Sequence, residues 1–145
     1  MDIFSFEKDA SAIKAGQWVS DIPGMGDARL KVRGMNSPAA LALRSRKERK
    51  VGRDGRERDG SLKPAERLRI TCEVLHEAVL IDWDGLTEGG KPLPYSIEAA
   101  GKYLLNPNFE AFADAVTYAA GVVDQGRGET SEDLAKNSKA PSSGD

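Results

Sequence analysis

Few side chains in this sequence could do chemistry. Cys72 and His76 stand four residues apart, one helical turn, a spacing that suits a Cys–His nucleophile pair or half of a zinc site. They are the only cysteine and the only histidine. A structural zinc takes four ligands, so this pair cannot close one from its own kind. Cys72 also shares an apolar stripe with Leu68, Leu75 and Val79, which predicts a packed thiol rather than a reactive one. Asp82 and Asp84 flank Trp83. Two apart in an extended segment, they share a face and suit a cation or an acid–base pair. No histidine or third carboxylate is spaced to complete that site, so they read as solvated turn acids around a buried Trp83. Gly24-Met25-Gly26 opens like a dinucleotide-binding loop, but the third glycine is missing and no helix follows; it reads as a hairpin turn. The chain is therefore read as a non-enzyme, with no catalytic residue, no cofactor and no metal ligand.

Charge carries more information. The net charge of −2 hides a split. Residues 44–69 hold 11 basic and 5 acidic side chains, whereas residues 71–145 hold 5 basic and 13 acidic. A basic middle and an acidic C-terminal half attract each other within one molecule or between copies, so self-association is expected. Arg44, Arg46, Lys47, Arg49 and Lys50 of the basic run, with Arg29, Lys31 and Arg33 of the preceding hairpin, are the candidate partner-binding residues. Nucleic acid is a poor fit: Glu48, Asp54, Glu57 and Asp59 interrupt the run, no aromatic residue is interleaved to stack on bases, and the pI is near 5.5.

The elements that must position these residues follow from pattern. At 145 residues the chain suits one domain with a modest core. Residues 1–15 read as an N-terminal extension. Residues 16–35 predict a β-hairpin whose second arm sets Ala28, Leu30 and Val32 on one face and Arg29, Lys31 and Arg33 on the other. A helix near 37–50 opens at Ser37-Pro38. Three glycines among charges make 51–62 a mobile loop. The stripe Leu68, Cys72, Leu75, Val79, widened by Ile70 and Val74, predicts a central helix over 64–80. Residues 81–96 read as an ordered connection, with a tight turn at Glu88-Gly89-Gly90-Lys91. Ser96 caps a helix over 96–105, and another runs over 107–123 with a stripe of Phe109, Phe112, Val116, Ala119 and Val123. Trp83, Leu75, Val79, Leu104, Phe112 and Val116 are expected in the core. Residues 125–145 have almost no apolar side chains and predict a disordered tail. The fold class is α+β, a mainly helical single domain (16–124) with an N-terminal hairpin. No stretch approaches the roughly 20 apolar residues of a membrane span, the first residues carry no signal-peptide pattern, and one cysteine suits a reducing cytoplasm.

Several of these segments together resemble the tail assembly chaperones of long-tailed bacteriophages. They are Val79-Leu80-Ile81 before Asp82-Trp83-Asp84-Gly85-Leu86, then Pro94-Tyr95-Ser96 opening a helix, then paired Phe109 and Phe112. The Trp18-Val19 and Arg29–Arg33 arms resemble that family's opening hairpin. The resemblance spans residues 16–123 and implies a non-catalytic protein of the host cell cytoplasm, absent from the mature virion. Its implied partners are the tape-measure protein and the tail-tube protein. It also implies a longer form made by ribosomal slippage, for which Ala135-Lys136-Asn137 allows the heptamer A-AAA-AAC. A structural component of the tail or connector and a nucleic-acid-binding regulator are the alternatives.

Overall fold

The computed structural model describes residues 1–129. The chain runs α1 (Ala10–Ala15), β1 (Gln17–Val19), β2 (Arg29–Val32), α2 (Pro38–Arg49), α3 (Pro64–Val74), β3 (Leu80–Asp84), β4 (Thr87–Glu88), β5 (Lys91–Pro92), α4 (Ile97–Leu104) and α5 (Glu110–Asp124). The α+β class and the dominance of helix are as the pattern predicts.

The hairpin forms with its expected faces. β1 and β2 pair antiparallel, Val19 opposite Leu30 and Gln17 opposite Val32. Ala28, Leu30 and Val32 are buried. Ser37 caps α2 by accepting from the Ala40 amide, Pro38 follows it, and Ser96 caps α4 by accepting from the Ala99 amide at 3.0 Å. The tight turn is a two-residue hairpin between β4 and β5; Gly89 and Gly90 take the positive φ that a type I′ turn requires.

Residues 81–96 are more than a connection, which corrects the expectation above. Leu80–Asp84 is a third strand, pairing antiparallel with β2 so that Trp83 lies opposite Leu30. The hairpin thus sits in a three-stranded sheet in the order β1-β2-β3. A helical stripe runs up to Val79, which masks the switch of period.

The helix over 64–80 is also different in kind. It is α-helical to Val74 and then makes a π-helical stretch, Leu75–Val79, before the chain enters β3. The wider turn shifts the side-chain register. Ile70, Val74, Leu75, Ala78 and Val79 are buried, whereas Leu68 is 60% exposed and Cys72 only half-buried. Leu68 and Cys72 therefore lie outside the core stripe. Phe109 departs from its stripe in the same way: it is largely exposed and stacks edge-on with Tyr103.

The loop over 51–62 is tied down rather than free. Arg56 donates to the carbonyls of Glu48, Val51 and Gly60, and Arg56 bridges Leu62, which is buried. The guanidinium satisfies carbonyls that three glycines leave without regular structure around them.

The core centres on Trp83. It is 5% exposed, meets Tyr95 and Phe112 edge-to-face, and donates from Nε1 to the Leu93 carbonyl at 2.8 Å. Leu75, Val79, Leu104 and Val116 are buried around it, and Phe112 is partly buried against them. α5 ends in a Schellman motif, with Gly126 bonding back to Val123 and Arg127 to Val122. Glu129 then exchanges two backbone hydrogen bonds of 2.7 Å with Trp18. The segment read as tail is thus anchored from 125 to 129. The remainder of that tail, and Ala135-Lys136-Asn137 within it, lies outside the described residues.

Candidate functional site

An apolar-lined concavity lies between α3 and the start of α5. Its volume is about 430 Å³. The floor is Leu75, Leu104 and Ala113, all buried, and the walls are Leu68, Cys72 and Leu105. Leu68 and Leu105 remain 60% and 50% exposed. The groove exists for local reasons. The chain leaves α4 at Leu105, and Asn106 then caps the 3₁₀ turn Pro107–Phe109 by accepting from the Asn108 amide. That turn holds the N-terminal end of α5 away from α3. Small residues, Ala65 and Ala113, face the gap and do not fill it.

The rim is charged and unevenly so. Arg69 is held by Glu66 at 2.8 Å and by Glu73 at 2.9 Å. Glu73 is shared with Lys47, whose Nζ lies 2.8 Å away. On the α5 side Glu110 and Asp114, one helical turn apart, form no ion pair among the described residues. This wall of the groove is net negative. Its field is felt at Cys72: burial first, then the carboxylates of Glu110, Glu73 and Asp114, pushes the thiol pKa up, away from the thiolate that a nucleophile needs.

His76 is engaged elsewhere. Its Nε2 lies 2.8 Å from the Ile97 carbonyl and donates to it, and its ring packs so closely on Gly101 that an added Cβ would stand 2.9 Å away. The histidine thereby clamps α4 onto the π-helical stretch. Asp82 and Asp84 are separated in function. Asp84 pairs with Arg29, and Asp82 accepts from the Trp83 amide at 2.8 Å. Among the described residues no three His, Cys, Asp or Glu side chains are grouped to hold a metal ion.

The candidate partner-binding residues fall into two sets. Arg29 pairs with Asp84, and Arg33 donates to the carbonyls of Lys14 and Ala78. Arg44 donates to Thr71 at 3.0 Å, and Lys47 reaches both Glu73 and Glu77. These four hold the chain together. Hydrogen bonding to Glu73 and Glu77 raises the Lys47 pKa, and the Lys47 ammonium holds the Glu73 carboxyl below its ordinary value. Arg46, Arg49 and Lys50 point outward from α2 and are exposed, with no polar partner among the described residues; Lys31, half-buried on β2, has none either. None of these eight residues lines the groove. Of the groove residues, pattern assigns Leu68 to the core stripe and does not single out Leu105, Glu110 or Asp114; the available signal was the Glu110–Asp114 pair at i,i+4.

A family model described as YdaY prophage protein matches residues 35–137. The match takes in α2 to α5 and every residue of the groove, and it begins after β2. No curated protein and no solved structure matches the chain.

Proposed function

The chain belongs to the YdaY prophage protein family and is phage-derived, and from that premise we propose that it is a tail assembly chaperone that binds the tape-measure protein without catalysis. The observation that carries the reading is the groove between α3 and α5. Its apolar floor and exposed Leu68 and Leu105 suit the ridge of an amphipathic helix, and Glu110 and Asp114 suit lysine or arginine on that helix's flank. A long helical protein awaiting assembly presents many such ridges. The chaperone covers them in the host cell cytoplasm, recruits tail-tube subunits, and is left out of the mature virion. No helix among the described residues is long and apolar enough to cross a membrane. Nucleic acid is disfavoured because Arg29, Arg44 and Lys47 are engaged by the chain's own groups.

The test is co-purification with fragments of the tape-measure protein encoded by the same prophage. Leu68→Asp places a charge in the apolar wall and is expected to weaken capture at least about tenfold, roughly 1.4 kcal/mol. Mass spectrometry of purified virions is expected to find no protein. Stoichiometric recovery from virions would instead favour a structural tail or connector component.

A further inference from the structure

We infer that α2 of a second copy of this chain docks in the α3–α5 groove, so that free molecules associate head to tail. The inference uses the groove assigned above, but it does not depend on what the phage client is.

Charge complementarity selects the occupant. The exposed side of α2 carries Leu41, which is 49% exposed, with Arg49 about 80° and Arg46 about 140° around the helix from it. One side of α2 packs on the chain through Ala40, Leu43, Arg44 and Lys47, and the other side, with Leu41, Arg46 and Arg49, is exposed. The groove carries the complement: Leu68 and Leu105 exposed beside Glu110 and Asp114, which form no ion pair among the described residues. Leu41 meets the apolar walls while the arginines meet the α5 carboxylates. α2 offers a ridge about 18 Å long at 1.5 Å per residue.

The two surfaces are different patches on one molecule. The contact is therefore heterologous, and each copy offers a free groove at one end and a free α2 at the other. One helix in one groove buries less than the roughly 1,200 Å² of a stable interface. The association is therefore weak and concentration-dependent, and salt loosens it.

Two full-length variants test it by sedimentation velocity. In the first, Arg46→Glu and Arg49→Glu reverse the face and leave the groove intact. In the second, Glu110→Arg and Asp114→Arg reverse the groove and leave the face intact. All four side chains are exposed, and circular dichroism checks that both variants fold. The wild type is expected to gain mass with concentration at low salt and to lose that gain at high salt. Each variant alone is expected to stay monomeric. Mixed in equal amounts, they are expected to associate again and to alternate, because the intact groove of one meets the intact face of the other and the two reversed patches match as well. A single chain carrying all four changes regains association. A wild type that stays monomeric at low salt, or a mixture that stays monomeric, overturns the inference. So does a self-associating single variant, since that contact would use neither patch. The face-reversed variant separates the two proposals. If it still captures the tape-measure fragment, the groove's proposed client stands whatever the fate of self-association; if it stays monomeric, as inferred, yet captures nothing with its groove intact, the client reading fails alone.

Discussion

α5 and α2 are helices of similar length that are held in place by different forces. α5 buries Ala113, Ala115, Val116, Ala119, Ala120 and Val123. α2 buries Ala40, packs Leu43 partly against the core, and is further tied by polar contacts, Lys47 to Glu73 and Glu77 and Arg44 to Thr71. A fully buried valine contributes about 1.5–3 kcal/mol, whereas an exposed ion pair contributes about 1 kcal/mol or less. α5 is thus part of the folding core. α2 has less apolar burial, so its attachment is expected to respond more to salt and pH. A helix held this loosely from below keeps most of its surface free, which suits a presented binding element.

The largest expected effect falls on the α5 side. Trp83→Ala removes the ring that Tyr95 and Phe112 pack against and orphans the Leu93 carbonyl. A loss of about 3–5 kcal/mol is expected by urea denaturation. A loss under about 1 kcal/mol would mean that the core is not organised around this residue.

The next effect concerns the loop that follows α2. Arg56→Ala strips a charged donor from the Glu48, Val51 and Gly60 carbonyls. A loss of about 1.5–3 kcal/mol is expected, with faster hydrogen exchange in 51–62. If exchange there is unchanged, the loop does not depend on this guanidinium.

Trp83 and Arg56 also mark what the sequence does and does not disclose. Trp83 stands out because it is large, apolar and set among an aliphatic run, so its burial is legible from residue type. The helix starts at Ser37-Pro38 and Ser96 are legible for an equally local reason, a side chain capping its own helix. β3 is not, because Asp82 and Asp84 imitate turn composition and the stripe of α3 runs straight into it through the π-helical stretch. Arg56 is hidden too: its value lies in carbonyls that come near it only once the loop has closed. The groove is the least legible feature. It arises where the α4–α5 connection holds two helix ends apart, and no run of residues encodes that gap.

A smaller effect tests where the fold ends. A chain ending at Gln125 loses the Gly126 and Arg127 caps and both hydrogen bonds between Glu129 and Trp18. It is expected to be about 1–2 kcal/mol less stable than a chain ending at Glu129. Equal melting temperatures would place the boundary back at the end of α5.

The smallest effect is the one that separates the two helices most directly. Lys47→Met keeps the length of the side chain but removes the ammonium that holds Glu73 and Glu77. A loss of about 0.5–1 kcal/mol is expected at low salt, shrinking in molar salt as screening takes over. The pH dependence has a definite sign. The Glu73 pKa is lowered in the fold, chiefly by Lys47, so its contribution is complete above the ordinary glutamate value of about 4.3 and is lost as pH falls through the lowered folded value. The Lys47 pKa is raised, chiefly by Glu73, so its contribution is complete below the ordinary lysine value of about 10.4 and is lost as pH climbs through the raised one. Hydrogen exchange resolves where these losses land. Below about pH 4 the α2 amides of the wild type are expected to lose protection before those of α5, and Lys47→Met is expected to remove that difference in pH response while leaving α5 unchanged. If α5 loses protection in step with α2, charge and burial are not acting on separate helices, and the basic face of α2 is part of the core's cooperative unit.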